Sequence, residues 1–241
     1  MTLNRIAALT AACFGAFALA ACGNGSAAGE DRTRYEEAGD RAKGSPDAPV
    51  TMIEYASVAC GGCAAWHESA MPTVDEYVET GDVRYVFREM ITGQPQLATA
   101  GFMLARCAPE DQYFDVIEVL FEQQRALFTA MQQGQAQAQF QQIARTLGFS
   151  NEEFRQCMSN EEALDAVRAA NDAASEAGVS ATPTFFVNGE QLEAVPGPEG
   201  SGQAYGVDGQ ALVDEQGPIP ATFEGETFER IILYFKDRAG E

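Results

Sequence analysis

The order of apolar and polar positions divides the chain into a strand-helix-strand unit, a long helical region and a return to strands. A mainly apolar, β-branched run at residues 50–56 predicts a buried strand, and alternation at residues 83–88 predicts a second strand. A helical pattern at residues 64–71 lies between the two strands. The three segments therefore predict a βαβ unit with a right-handed crossover and a parallel strand pair.

Residues 94–178 show no strand pattern, and their apolar residues recur at the spacing of amphipathic helices. We predict an all-helical insertion over this range. A strand returns at residues 184–187, and the Asn-Gly pair that follows it predicts a hairpin turn. Residues 195–221 hold many Gly and Pro residues and predict an irregular loop. Apolar spacing at residues 228–235 predicts a final amphipathic helix.

Composition restricts the classes of partner. The 241 residues suffice for one domain with a sizeable core and terminal appendages. A formal net charge of −21 argues against a nucleic-acid partner, because few basic residues are available to neutralise phosphates. An acidic surface favours solubility and does not identify a substrate. Beyond residue 22, no stretch is apolar enough to span a bilayer.

The N-terminal residues predict an export signal followed by a tether. Arg5 precedes an apolar run at residues 6–19 that is too short to span a membrane, which is typical of a signal peptide over residues 1–21. Residues 22–44 are rich in Gly, Ala, Ser and charged residues and have no core-forming pattern. They predict a flexible tether that is too short and too polar for a dimerisation domain.

The end of the predicted signal has the sequence Leu-Ala-Ala-Cys, at residues 19–22. It resembles the lipobox of bacterial lipoproteins, in which cleavage leaves the cysteine as an acylated N-terminus. We therefore predict that Cys22 carries lipid and anchors the protein to a membrane. The alternative is ordinary cleavage after small residues, which leaves Cys22 as a spare thiol.

A Cys-Gly-Gly-Cys motif lies between the first predicted strand and the following helix. Free N–H groups and the helix dipole favour a thiolate at a helix N-terminus, so we expect Cys60 to be nucleophilic near neutral pH. Two intervening residues place Cys63 one turn further on, where it can attack a mixed disulfide on Cys60. The motif therefore predicts a redox pair. Half of a zinc site is the alternative, but the chain has one His and no second Cys-x-x-Cys.

Four cysteines remain if the signal is removed and Cys22 carries lipid, and these four allow three pairings. If Cys60 and Cys63 form the redox pair, Cys107 and Cys157 are left. An export signal implies an oxidising compartment, where a structural disulfide between these two is expected. The alternative is two buried free cysteines that act as small apolar residues.

The order of these features resembles that of a known family. A strand, Cys-x-x-Cys, a βαβ unit, a helical insertion and Thr-Pro-Thr before a Phe-Phe-Val strand resemble the DsbA-like thiol-disulfide oxidoreductases of the thioredoxin superfamily. The resemblance covers about residues 46–192 and the last helix. It implies an α/β, thioredoxin-like fold with an all-helical insertion, over residues 45–241. Cys107 and Cys157 are also similar to a structural disulfide in the insertion of some members.

The resemblance implies catalytic and substrate-binding roles for further residues. Pro183 matches the family's cis-proline, which packs against the redox pair. Thr182 matches the preceding position, whose backbone binds the substrate chain. Glu54, six residues before Cys60, matches the buried acid that shuttles the proton of Cys63. A surface acid at the end of a strand is the alternative for Glu54.

This chain departs from the best-known family member between its cysteines, where Gly61 and Gly62 replace Pro-His. We expect both glycines to face bound substrate. Without an imidazole beside Cys60, we expect a less acidic thiol and a less oxidising disulfide than in that member. His67, four residues after Cys63, either tunes the pair from the same helix face or is an ordinary helix-face side chain.

We therefore predict a periplasmic, lipid-anchored monomer that introduces disulfides into exported cysteine-containing proteins by exchange at Cys60 and Cys63. A membrane redox partner would act on the pair, and the resemblance implies no cofactor and no metal. One alternative is a reductase or disulfide isomerase of exported proteins, which Gly-Gly and Thr182 leave open. Another is a Cu(I)-binding metallochaperone lipoprotein, which the scarcity of His and the absence of a Met-rich cluster near Cys60 disfavour.

Overall fold

The computed structural model describes residues 34–239. The predicted signal peptide of residues 1–21 and the predicted lipidation site Cys22 lie outside the described residues. A mixed sheet of five strands lies at the centre of the described part. In chain order the strands are β1 (Arg41–Lys43), β2 (Val50–Ala56), β3 (Val83–Glu89), β4 (Thr184–Val187) and β5 (Glu190–Gln191).

The spatial order of this sheet is β1-β3-β2-β4-β5, so that β2 is its central strand. β2 and β3 pair in parallel, with Val50 opposite Val83, as the βαβ pattern predicts. β1, β4 and β5 each pair antiparallel with a neighbouring strand. All seven residues of β2 are buried, which explains why its sequence is continuously apolar except at Thr51 and Glu54.

Helices connect the strands and form the insertion. α1 (Gly61–Ser69) and α2 (Met71–Glu79) join β2 to β3, and the break between them places Pro72 in the first turn of α2, where proline is tolerated. Within residues 34–239, no helix combines the length and the apolar character that crossing a membrane requires. The helices between β3 and β4 are α3 (Pro95–Cys107), a 3₁₀ turn (Glu110–Gln112), α4 (Tyr113–Glu122), α5 (Gln124–Gln132), α6 (Ala136–Thr146), α7 (Asn151–Met158) and α8 (Glu161–Glu176), and α9 (Gly225–Arg238) comes last.

Alternation along β2 decides which side chains reach each face of the sheet. Met52 and Ala56 belong to the large core, which also includes α1 and the insertion. Ile53 and Tyr55 belong to a smaller cluster on the other face. Because alternate residues of a strand face the same way, Glu54 shares the face of Met52 and Ala56. This alternation buries the carboxyl group of Glu54 on the face of the sheet that α1 covers.

The predicted flexible tether of residues 22–44 is wrong at its C-terminal end, because β1 lies within it. β1 pairs antiparallel with the edge of the sheet along β3. Arg84 and Arg88 of β3 hold the same segment through ion pairs with Glu36 and Asp40, at 3.1 and 2.8 Å. The segment is therefore fixed by backbone pairing and partly enclosed ion pairs, neither of which produces an apolar pattern in the sequence.

The predicted irregular loop of residues 195–221 is also wrong, because short antiparallel strands occupy it. β6 to β8 form a three-stranded sheet, and β9 pairs with β10. Positive φ angles at Asp208 and Gly209 turn β7 into β8. The strands are two to five residues long, so alternation is not visible among the Gly and Pro residues. They are β6 (Glu193–Pro196), β7 (Gln203–Val207), β8 (Gln210–Ala211), β9 (Val213–Asp214) and β10 (Gly217–Pro218), with a 3₁₀ turn at Pro198–Gly200.

Candidate active site

The loop after β2 places Cys60 at the N-terminus of α1. Cys60 has an extended backbone and directly precedes the first helical residue. Its amide N–H donates to the carbonyl oxygen of Ser57 at 2.9 Å. The buried Ser57 hydroxyl donates to the carbonyl oxygen of Thr92 at 3.1 Å and accepts from the amide of Ala59 at 3.2 Å. These bonds fix the turn that carries the chain from strand to helix.

The Thr-Pro segment before β4 reaches the same place. The Thr182–Pro183 peptide bond is cis, and the Thr182 carbonyl oxygen accepts a hydrogen bond from the Cys60 thiol at 3.3 Å. Pro183 lies against the second glycine of the motif. A Cβ atom added at Gly62 would come within 3.3 Å of Pro183 Cδ, whereas one added at Gly61 would meet nothing within 4 Å. The fold thus joins two motifs that lie 122 positions apart.

The surroundings of Cys60 stabilise its thiolate. They lower the pKa of this half-buried thiol from 9.0 to about 5, although desolvation opposes the change. The largest cause is a hydrogen bond from the Cys63 side chain, and the Thr182 side chain adds to it. The backbone N–H groups of Cys63 and Gly62 contribute as well, as expected at a helix start. Cys60 is therefore a thiolate at neutral pH.

Enclosure has the opposite effect on Cys63, which is completely buried. Desolvation raises the pKa of Cys63 far above 9.0, and the hydrogen bond to Cys60 raises it further. The charge of Glu54, when that group is ionised, acts in the same direction. Both cysteines are free in the structure. Cys63 is thus a thiol that must lose its proton before it can react.

Glu54 is fully buried on β2, on the side of the sheet that faces α1. Its Oε2 accepts a hydrogen bond from the hydroxyl of Tyr85 and lies 2.9 Å from Nε2 of His67. Its other oxygen, Oε1, has no hydrogen-bond partner among the residues that the structure describes. The charge of this carboxyl group, when it is ionised, acts on the buried Cys63 thiol.

Three further residues shape the site, and the sequence analysis did not single them out. Gln124, at the start of α5, is buried and donates through Nε2 to two carbonyl oxygens of the active-site loop, at 2.9 and 3.0 Å. Thr92 Oγ1 lies 2.6 Å from Thr182 Oγ1. Tyr85 and His67 both contact the same oxygen of Glu54, Oε2. Only Tyr85 had a signal in the sequence, because alternation in β3 turns it towards the large core.

The remaining predicted site residues lie elsewhere. Cys107 and Cys157 form a disulfide that joins the end of α3 to α7, with their Cα atoms 5.8 Å apart. Cys22 is outside the described residues. Among residues 34–239, no three His, Cys, Asp or Glu side chains are grouped so that they could hold a metal ion.

A half-buried thiolate next to a buried thiol is the arrangement that thiol–disulfide exchange requires. Comparison with known proteins agrees with this class: the family model described as Thioredoxin matches residues 36–204. The chain belongs to the thioredoxin family. The predicted thioredoxin-like α/β fold is thereby confirmed.

Individual relatives support the same placement. The crystal structure of alpha-DsbA1 from Wolbachia pipientis has a TM-score of 0.64 and 22% identity, covering 85% of this chain and 94% of its own, and supports the fold. A Rickettsia conorii protein named as a protein-disulfide oxidoreductase is 30% identical over 157 residues, 63% of this chain and 54% of its own length. Disulfide bond formation protein D of Bacillus subtilis is 26% identical over 160 residues, 62% of this chain and 68% of its own length. The chain spans about half the length of the Rickettsia relatives that it matches.

Proposed function

We propose that this protein is a thiol-disulfide oxidoreductase that introduces disulfides into exported proteins by exchange at Cys60 and Cys63. The observation that carries the proposal is the contrast between a Cys60 pKa of about 5 and a Cys63 pKa raised far above 9.0. A stabilised thiolate favours the reduced form of the pair, so the disulfide is a ready acceptor of electrons. The names of the Rickettsia and Bacillus relatives support the same chemistry.

The proposed cycle starts from the Cys60–Cys63 disulfide. A substrate thiolate attacks the sulfur of Cys60, forms a mixed disulfide and expels Cys63, which takes up a proton. A second substrate thiolate attacks the substrate sulfur of the mixed disulfide and expels the thiolate of Cys60. The substrate loses two electrons and gains a disulfide, and the protein holds two reduced cysteines. A membrane redox partner then accepts two electrons and restores the pair.

In this proposal the other site residues position groups or move protons. Glu54 exchanges the proton of Cys63, and Pro183 with Thr182 positions the substrate chain beside Cys60. The contact between Gly62 and Pro183 supports a substrate path along the motif, with Gly61 on its open side.

The second cysteine pair has a structural role in this proposal. The disulfide between Cys107 and Cys157 holds α3 to α7. It contributes no atom to the exchange reaction.

We further propose that the protein acts in the periplasm as a monomer anchored through lipid on Cys22. The signal-like pattern of residues 1–21 supports export, and the Leu-Ala-Ala-Cys sequence supports lipidation. A Cys22→Ser variant should appear in the soluble periplasmic fraction, whereas the unmodified protein should sediment with membranes. Equal distribution of the two proteins would contradict lipid anchoring.

The reduction potential of the Cys60–Cys63 pair tests the function, by equilibration of the purified protein with reduced and oxidised glutathione. A nucleophilic cysteine with a pKa of about 5 lies between the values of about 3.5 for DsbA and about 7 for thioredoxin. We therefore expect a potential between about −120 mV and about −270 mV. A potential at or below the thioredoxin value would instead indicate a reductase. A Cys60→Ser variant, which cannot form the pair, gives the background.

A further inference from the structure

We propose that His67 is a proton relay that connects Glu54 to a solvent cavity and thereby carries the proton of Cys63 in and out of the site. This inference rests on the proposed exchange at Cys60 and Cys63. It adds a reacting group to that chemistry, since a buried acid alone would leave the proton inside the protein. The relay would act once in each direction during every cycle.

The inner end of the relay is set by the two oxygens of Glu54. Oε2 is held by Tyr85 and by Nε2 of His67, which lies 2.9 Å away. Oε1 is buried and has no hydrogen-bond partner within the part of the chain that the structure describes. An unsatisfied buried acceptor is costly and unusual, so its retention on a carboxyl group whose charge acts on the Cys63 thiol indicates use. Oε1 is thus the oxygen that can accept a proton from Cys63.

The outer end is set by the position of the imidazole ring. The ring stacks on Phe121 with centroids 4.0 Å apart, and the side chain is only 10% exposed. Its second nitrogen, Nδ1, makes no hydrogen bond to any described residue, yet it is not among the enclosed polar atoms. Since His67 lines a cavity, Nδ1 faces that cavity and can meet water there. One ring nitrogen is therefore inside the site and the other is at its solvent side.

The cavity measures about 610 Å³, which is large enough for many water molecules. Charged side chains from five elements line it. Lys43 of β1 pairs with Asp75 of α2 at 2.5 Å, so these two charges offset each other. The other charged groups that line the cavity are Glu68 of α1, Glu118 and Glu122 of α4 and Arg125 of α5. Water in the cavity is the proton acceptor beyond the ring.

In the outward direction the relay moves one proton from Cys63 to water. The relay starts with one proton in the hydrogen bond between Oε2 of Glu54 and Nε2 of His67 and with another on Nδ1 of His67. Cys63 gives its proton to Oε1, the Oε2 proton passes to Nε2, and the Nδ1 proton passes to water. The net result is a Cys63 thiolate and one proton in the cavity. The thiolate can then attack the mixed disulfide on Cys60.

The return half of the cycle resets the relay. When substrate attacks the disulfide, Cys63 leaves as a thiolate and needs a proton. Water gives a proton to Nδ1, the Nε2 proton returns to Oε2, and the Oε1 proton passes to Cys63. Glu54 and His67 then hold their protons where they began. An imidazole whose tautomer changes twice in each cycle therefore needs no ring flip.

Quenched-flow mass spectrometry tests the relay, with reduced protein mixed with oxidised glutathione and quenched by acid. Attack by Cys60 on oxidised glutathione needs no proton from Cys63, whereas resolution of the Cys60–glutathione disulfide by Cys63 does. A His67→Gln variant keeps a hydrogen-bond donor for Glu54 but cannot relay a proton. We expect resolution to slow by about tenfold or more and the mixed disulfide to accumulate, with an unchanged rate of glutathione attachment.

Controls separate the relay from a packing role. Glu68→Gln, at the adjacent position in the same cavity wall, should resolve the mixed disulfide at the normal rate. A His67→Ala variant should be rescued by added imidazole and not by thiazole, a ring of similar size without an N–H group. Normal resolution in His67→Gln, or equal rescue by both rings, would overturn the relay. If the unmodified protein formed no mixed disulfide at all, the proposed exchange function itself would be wrong.

Discussion

Cys60 and Cys63 differ in acidity because one sulfur lies at the exposed start of a helix and the other lies one turn further into the core. The pKa of Cys60 falls to about 5 because Cys63, Thr182 and backbone N–H groups donate to its thiolate. The pKa of Cys63 rises because desolvation disfavours its charge. The three residues that separate the two sulfurs thus place a nucleophilic thiolate at the start of α1 and a protonated thiol inside the core.

Among the groups that donate to the Cys60 thiolate, the Thr182 side chain is the most distant in sequence. Its hydroxyl lies 2.6 Å from that of Thr92. In a Thr182→Val variant we expect the pKa of Cys60 to rise by about one. A hydrogen bond to a charged group contributes roughly 1.5 kcal/mol, and one pKa unit corresponds to about 1.4 kcal/mol. The pH dependence of thiolate absorbance measures the change. Thr184→Val, whose hydroxyl bonds to the carbonyl oxygen of Ala181, is the matched control. Equal pKa values in the two variants would show that Thr182 does not contribute.

For single residues, the sequence predicted which side chains react but not which side chains form hydrogen bonds with them. The spacing of Cys60 and Cys63 and the apolar strand around Glu54 were visible in one short segment. The partners of Glu54 were not, because Tyr85 and His67 come from a different strand and a helix that meet only in the folded protein. A side chain's local pattern predicts which way it faces, and not which polar group it will meet.

The start of α5 connects the helical insertion to the redox loop. Gln124 is buried there, and its side-chain amide bridges the carbonyl oxygens of Val58 and Cys60. Buried backbone groups in a tight loop need hydrogen-bond partners, and here a side chain from outside the loop supplies part of them. The insertion therefore helps to shape the catalytic loop as well as cover the sheet.

Removal of this amide should loosen the loop. In a Gln124→Ala variant the buried carbonyl oxygen of Val58 loses this partner, whereas that of Cys60 keeps the amide of Ala64, and we expect a loss of about 1–3 kcal/mol in the free energy of unfolding. Chemical denaturation measures the loss. Gln137→Ala makes the same change on the exposed surface of α6 and should alter stability by less than about 0.5 kcal/mol. A similar small effect in both variants would show that water replaces the Gln124 amide without cost.

The sequence predicted the long helices and strands that bury an apolar face, and it did not predict the short strands that depend on backbone pairing. β2, β3, α1 and the insertion have long apolar patterns, because each buries a continuous face. β1 and the strands β6 to β10 do not, since they are two to five residues long and depend on backbone pairing with partners supplied by the fold. Their positions could therefore be known only after the central sheet and α9 were in place.

At the scale of the whole molecule, folding moves positive charge inward. Arginines pair with carboxylates in largely enclosed ion pairs, namely Arg84 with Glu36, Arg88 with Asp40, Arg106 with Glu89 and Arg230 with Asp214. The chain has 36 acidic and 15 basic residues, so such pairs leave an outer surface dominated by carboxylates. That surface repels polyanions.

The opposite acidities of the two thiols also make the stability of the reduced protein depend on pH. The pKa of Cys60 is about 5 in the folded protein and 9.0 ordinarily, so its stabilising contribution is complete above pH 9 and is lost as pH falls towards 5. The pKa of Cys63 is raised, so its contribution is present below pH 9 and is lost as pH rises beyond that value. The oxidised protein has neither titration. The difference in unfolding free energy between reduced and oxidised protein should therefore rise between pH 5 and pH 9, by at most about 1.4 kcal/mol per pH unit, and fall at higher pH.

Denaturant unfolding of both redox forms across this pH range measures the difference. A Cys60→Ser variant has no disulfide form, so its unfolding free energy is taken relative to that of the oxidised unmodified protein. This difference should lose the rise below pH 9 and keep the fall above it, because only the titration of Cys63 remains. A reduced protein whose relative stability stayed constant from pH 5 to pH 9 would contradict a stabilised Cys60 thiolate.

The same titration affects the reduction potential of the pair, since each proton that Cys60 regains at low pH removes stabilisation from the reduced form. The disulfide of this protein should therefore be a weaker oxidant, relative to a thiol pair of ordinary pKa, as the surroundings become more acidic.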